Sequence, residues 1–193
     1  MRVTLNLIRA TAVVAAALTA LSCNEANRGA SPVELVATNH ANILVLDFAD
    51  STCGSGGLGT ITLRSIIKRT NPTDVRFLDV KLKSYRVTYQ RTDGGKLIPQ
   101  SFVRSISGII GAGQTALLND FLIFEPGAFS QAPFAALLPQ NGGIDPETGK
   151  RTVTMEIIVD VFGETLAGDD VSARTRIPLT FCDGCGCVKA SGA

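Results

Sequence analysis

The residues of this 193-residue chain best suited to chemistry are its cysteines, of which three lie within six positions near the end of the sequence. Beyond position 50 the cysteines are Cys53, Cys182, Cys185 and Cys187. An even number of cysteines in an exported chain favours disulfides. Each of the three possible pairings joins Cys53 to one member of the C-terminal trio and so closes a loop of roughly 130 residues, which stabilises by about 4–5 kcal/mol in the chain-entropy model.

The second bridge is short in every pairing. Cys182–Cys185 and Cys182–Cys187 are sterically easier than Cys185–Cys187, whose members have one residue between them. Two other hypotheses use the same four residues. Four thiolates can bind Zn²⁺, although structural zinc sites usually carry two separated C-x₂₋₄-C pairs. The Cys182-x-x-Cys185 pair resembles a redox motif in spacing, but such motifs work at a helix start.

Other residues with chemical potential are few. The single histidine, His40, lies in a predicted turn and excludes any mechanism that needs two histidines. Carboxylates cluster in two loops, Asp145 with Glu147 and, as a candidate Ca²⁺ site, Glu164 with Asp169 and Asp170. No nucleophile, base and metal-ligand set converges in the sequence, so we expect a protein that is not an enzyme and has no cofactor.

The N-terminus has the three parts of a secretory signal peptide. Arg2 and Arg9 supply positive charge, and the run from Ala10 to Leu21 is uncharged. The run ends in Thr19-Ala-Leu-Ser-Cys23, which resembles the lipobox of bacterial lipoproteins. That resemblance implies cleavage before Cys23, acylation of this residue and anchoring in a membrane. The alternative is cleavage by an ordinary signal peptidase, which leaves Cys23 as a spare thiol. In Gram-negative bacteria, an Asp directly after the acylated cysteine retains lipoproteins at the inner membrane. This chain has Asn24 at that position, so in such a host the resemblance implies the outer membrane.

Charge is nearly balanced overall but uneven along the chain. The whole chain has a formal charge of +1, and loss of Arg2 and Arg9 leaves 16 basic and 17 acidic residues, a net charge of −1. Residues 64–91 hold eight basic and two acidic groups, and residues 120–183 hold ten acidic and four basic groups. We interpret these as two solvated sheet faces. The alternative is a basic face for an anionic glycan or lipid headgroup. A nucleic-acid partner is not expected.

The elements that must position these residues are strands. Apolar residues alternate with polar ones over 153–161 and 171–181, and residues 163–170 between them suit a hairpin loop. A change of phase near Ser84 predicts a β-bulge in a strand over 80–89. Further strands are predicted at 33–38, 43–49, 59–67, 101–106 and 116–125, with a short helical turn at 131–138.

Seven to nine short strands predict an all-β, antiparallel sandwich with a disulfide-stapled C-terminal end. Over residues 33–182 the strand count and final hairpin resemble the immunoglobulin-like or fibronectin-III-like domains of bacterial surface lipoproteins, which implies Greek-key connections. The expected organisation is a signal peptide at 1–22, an anchored tether at 23–32, one domain at 33–188 and a tail at 189–193.

The predicted function is therefore a lipid-anchored, non-enzymatic domain of the cell envelope that serves binding, adhesion or envelope assembly. Its expected partners are the membrane and an envelope protein or anionic glycan. The alternative is a metal- or redox-handling exported protein that uses the four cysteines.

Overall fold

The computed structural model describes residues 31–39, 43–49, 58–68, 75–186 and 188–189. The predicted signal peptide, Cys23, His40, Cys53 and Cys187 lie outside these residues. The strands are β1 (Val33–Asn39), β2 (Ile43–Asp47), β3 (Leu58–Ile67), β4 (Val80–Arg91), β5 (Phe102–Ile110), β6 (Thr115–Leu122), β7 (Thr152–Thr165), β8 (Asp170–Cys182) and β9 (Val188–Lys189). Short 3₁₀ segments lie at Val75–Leu78, Ala128–Ser130, Phe134–Leu137 and Pro139–Asn141.

The strands form two sheets around one hydrophobic core. The smaller sheet has the order β1-β3-β6, and the larger has the order β5-β4-β7-β8-β2-β9. The inward side chains of β7 at positions 153, 155, 157, 159 and 161 are all fully buried. Each such side chain stabilises the fold by about 1.5–3 kcal/mol relative to exposure. The alternation seen in the sequence is thus the alternation of core and solvent faces.

One strand pairing departs from the antiparallel prediction. β2 runs parallel to β8, with Val45 beside Thr180 and Asp47 beside Cys182. The reason is that β1 and β2 both run away from the end of the domain at Val33. β8 runs in that same direction, so β2 meets it in parallel. The other pairings in both sheets are antiparallel.

Local predictions agree closely with the strands. The β-bulge is confirmed, because the register of β4 shifts between Leu82 and Ser84 against both of its neighbours. The hairpin between β7 and β8 is confirmed with a shorter loop, residues 166–169, since both strands continue further than the sequence indicated. The turn predicted within 131–138 is the 3₁₀ segment Phe134–Leu137.

The domain has two ends, which hold different loops. At the end we call the Val33 end, Lys68 N–H donates to Pro32 O (2.8 Å) and Leu166 N–H donates to Asp79 O (2.9 Å). The opposite end, called the Cys182 end, holds Asp47 and the close of β8. The 13 residues of β8 join the two ends and span roughly 40 Å at strand rise.

Candidate functional site

The C-terminal cysteines form the candidate site that the sequence singled out. Cys182 and Cys185 are joined by a disulfide, with their Cα atoms 6.1 Å apart. Of the short bridges considered from the sequence, the structure therefore contains Cys182–Cys185. Of the four cysteines beyond position 50, Cys53 and Cys187 are then left for the predicted long bridge, which stays a prediction.

A buried carboxylate organises the loop that carries this disulfide. Asp47, at the end of β2, is 4% exposed. Its Oδ1 accepts hydrogen bonds from the N–H groups of Ala49 (2.9 Å) and Gly184 (2.8 Å), and its Oδ2 accepts one from Gly186 N–H (2.5 Å). Gly184 and Gly186 have φ of 74° and 76°, a region that favours glycine. Those two glycines therefore turn the backbone donors toward the carboxylate.

The electrostatics of Asp47 favour the ionised form. Burial opposes ionisation, but the N–H donors of Gly186, Gly184 and Ala49 outweigh it and lower the pKa of Asp47 below its usual value. The loop is thus held by charge-assisted hydrogen bonds as well as by the disulfide.

The same residues bear on the metal hypothesis. One carboxylate oxygen of Asp47 and the sulfurs of Cys182 and Cys185 lie within 4.8 Å of one another, and within the described ranges this is the one such group. In the disulfide form the two sulfurs are bonded to each other and offer no thiolate. After reduction the group would supply two thiolates and one carboxylate, which is one ligand short of a closed zinc site.

A buried ionic network at the Cys182 end is the feature that sequence reasoning missed. The Arg91 side chain is 1% exposed and makes two hydrogen bonds to Asp93, both of 2.8 Å. It also donates to Asp145 Oδ2 (2.8 Å), whose side chain is fully buried. The network joins the turn after β4 to the loop before β7. A signal was present, because Arg91 continues the inward positions Tyr85, Val87 and Tyr89 of β4.

The network controls the ionisation of its acids. For Asp93, burial opposes the charge, but the hydrogen bonds from Arg91, Thr154 N–H and Gly95 N–H exceed that effect and lower its pKa to about 2. Burial likewise opposes the charge of Asp145, and hydrogen bonds from Thr148 and Arg91 lower its pKa. This arrangement braces two loops and leaves the guanidinium no exposed face for a ligand.

The candidate Ca²⁺ residues lie at the Val33 end. Glu164 forms an ion pair with Lys83, and Asp170 Oδ1 lies 3.9 Å from the same ammonium group. Asp169 Oδ2 accepts from the Thr165 hydroxyl (3.2 Å) within the hairpin turn. The structure thus brings two of the three predicted carboxylates to a lysine and uses the third in a turn.

Part of the uneven charge of the sequence is paired across strands. On the outer face of the larger sheet, Asp160 of β7 binds both Arg86 of β4 (2.8 Å) and Arg174 of β8 (2.6 Å). Arg176 of β8 pairs with Glu156 of β7 at 2.6 Å. The basic segment and the acidic segment therefore meet as neighbouring strands, which is how their fields partly cancel.

Comparison with known proteins adds no family. No protein-family model and no curated protein matches this chain. Among the described residues, no helix has the length and apolar character needed to cross a membrane.

Proposed function

We propose that this chain is an exported, lipid-anchored domain of the cell envelope, without enzymatic activity, that serves binding, adhesion or envelope assembly. The observation that carries the proposal is the Ser22-Cys23 junction after an uncharged segment, together with a β-domain whose first strand begins at Val33. Nine residues, 24–32, thus lie between the proposed acylated cysteine and the first residue of β1. In a Gram-negative host the membrane would be the outer one.

The proposed fold of this domain is an immunoglobulin-like Greek key, and the strand order supports it. In immunoglobulin domains strands A, B and E share one sheet, and strands C, F and G share the other, with C′ beside C in variable types. Counted along this chain, β1, β3 and β6 take the places of A, B and E. β4, β7 and β8 take those of C, F and G, and β5 takes that of C′.

The binding surface of such a domain is sought in its loops and sheet edges. Since the chain enters at the Val33 end, the loops of the Cys182 end point away from the anchor. These loops are held by the Cys182–Cys185 disulfide, by Asp47 and by the Arg91 network. A rigid, outward-facing loop set suits an envelope protein or an anionic glycan as partner.

The test is the intact mass of protein extracted from membranes of an expressing bacterium. We expect the mature chain to begin at Cys23 and to carry acyl mass. Cys23→Ser should lose that mass and should move from the detergent phase to the aqueous phase when the membrane extract is partitioned. Cys187→Ser is the matched control, because it removes a cysteine but keeps the junction. Recovery of an unacylated chain from the wild type would refute the proposal.

A second candidate function, metal or redox handling by the cysteines, is favoured by one observation. The Asp47 carboxylate lies within 4.8 Å of both sulfurs of Cys182 and Cys185. This candidate predicts free thiols or bound metal in protein isolated without reductant. Thiol titration and metal analysis of the native protein decide between the two candidates, since the first predicts that all four cysteines beyond Cys23 are oxidised.

A further inference from the structure

The Val33 end carries a group of exposed apolar side chains at the tips of two segments. Phe77 is 56% exposed, Leu166 48% and Val75 46%. We call these three residues the apolar tip. We propose that the apolar tip rests in the headgroup region of the membrane that holds the acylated Cys23, so that the domain stands on its Val33 end. This inference rests on the proposed lipid anchor.

The backbone holds the apolar tip together. Ala167 N–H donates to Phe77 O (3.1 Å), and Leu166 N–H donates to Asp79 O (2.9 Å), so the β7–β8 loop is hydrogen-bonded to the segment that enters β4. Leu78 and Val80 of that segment are buried in the core. The backbone at Phe77 and Leu166 is therefore held by hydrogen bonds and by buried neighbours.

Exposed side chains of this kind are unfavourable in water and suit an interface. Phe77 and Leu166 are both about half-exposed and lie on backbone segments that are hydrogen-bonded to each other, and exposed apolar residues grouped in this way suit a contact site. These side chains lie on a 3₁₀ segment and a hairpin turn at one end of the domain, a position from which they can meet a membrane surface. Proteins held at a membrane surface bury Phe and Leu at the boundary of headgroups and acyl chains.

The path of the chain places this end nearest the proposed anchor. Pro32 O accepts a hydrogen bond from Lys68 N–H, so the first described residues are fixed at the Val33 end. From Cys23 to Pro32 the chain reaches at most about 32 Å in any conformation. The Cys182 end lies roughly 40 Å further along β8. Tethering over such a distance gives a millimolar effective concentration, at which a small apolar contact suffices.

The charges around the apolar tip favour lipid contact without a requirement for anionic lipid. Lys83 is paired with Glu164 and lies near Asp170, and the exposed Lys81 is next to Ile109, a further apolar residue with 64% exposure. Both signs are present, so the contact is expected to depend on apolar insertion. Long lysine side chains at its edge can reach headgroup phosphates.

The absence of tryptophan from the chain makes a direct test possible. Phe77→Trp places one tryptophan in the apolar tip. Leu97→Trp places one at the Cys182 end, where Leu97 is 44% exposed and its N–H donates to Glu147. Both acylated proteins are reconstituted in phosphatidylethanolamine–phosphatidylglycerol vesicles that contain brominated acyl chains, which quench tryptophan at short range.

We expect brominated lipid to quench the tryptophan fluorescence of Phe77→Trp at least about twofold more strongly than that of Leu97→Trp. Only the emission of Phe77→Trp should shift to the blue. Leu166→Trp is a second probe of the same surface, and equal thermal melting of all variants shows that they fold. Equal quenching at the two sites in vesicle-bound, acylated protein would show that the apolar tip does not contact the membrane, and would leave the proposed lipid anchor at Cys23 unaffected. Blue-shifted emission in native membranes without quenching in vesicles also overturns it and points to a protein at this surface. Lack of acyl mass overturns both proposals.

Discussion

Arg91 is predicted to be the charged residue whose loss costs this domain most. Its guanidinium is buried and binds the carboxylates of Asp93 and Asp145. In Arg91→Met, both acids would remain buried without a cationic partner. Breaking a buried pair in this way costs about 3–5 kcal/mol. We expect urea unfolding at pH 7 to show a loss of that size.

Arg176→Met is the matched control. Arg176 belongs to the same sheet and pairs with Glu156 at 2.6 Å, but 54% of its side chain is exposed. Exposed pairs contribute about 0–1 kcal/mol, because water already solvates both charges. The two substitutions are chemically identical, so the difference between them measures burial. Equal losses in the two variants would contradict the role assigned to Arg91.

The pH dependence of this effect has a definite sign. The pKa of Asp93 is lowered to about 2 in the folded protein. The difference between this pKa and the ordinary carboxyl value corresponds to about 2–3 kcal/mol of the free energy of unfolding. This contribution is present at neutral pH and is lost as the pH falls from about 5 to about 2. Arg91→Met lacks the part of this stabilisation that comes from Arg91 at every pH, and keeps the part from Thr154 N–H and Gly95 N–H. The gap in unfolding free energy between wild type and Arg91→Met should therefore narrow at pH 3, and a gap that stays constant would show that the lost interactions are not ionic.

Three further predictions concern the core and the Cys182 end. Asp47→Asn should destabilise by about 1.5–3 kcal/mol in thermal unfolding, because the backbone donors lose a charged acceptor, whereas Asp183→Asn in the same loop should have little effect. Burial raises the pKa of both tyrosines, Tyr85 and Tyr89, above the ordinary value of 10, so tyrosinate absorbance should appear only as the protein unfolds and stability should fall above about pH 10. Gly163→Ala should cost about 1–3 kcal/mol, since its Cβ would lie 2.8 Å from Lys81 O, whereas Gly108→Ala meets nothing closer than 3.7 Å and should be nearly neutral.

Strand positions could be read from the sequence because their signal is local. The alternation over 153–161 and 171–181 and the change of phase at Ser84 depend only on neighbouring residues, and each has its counterpart in β7, β8 and β4. The parallel pairing of β2 with β8 could not be found in this way. It depends on which sheet the chain enters after β1, and no short pattern encodes that choice.

The candidate site, like the fold, could be predicted only in part from the sequence. The spacing of the cysteines restricted the short bridge to two forms, and the fold selects Cys182–Cys185. The role of Asp47 was beyond sequence reasoning, because its partners Gly184 and Gly186 are more than 130 residues away in the chain. Arg91 was within reach, since a charged residue at an inward strand position requires buried partners.

The parallel pairing of β2 with β8 also sets the order of events during synthesis. Val45 cannot pair with Thr180 until more than 130 further residues have been made. Contacts of such long range slow folding, because a large loop must close before they form. For the exported chain that we propose, slow closure of this loop would favour an unfolded state during transfer to a secretion channel, which accepts extended polypeptide. The pairing that completes the domain would then delay its folding until translocation is over.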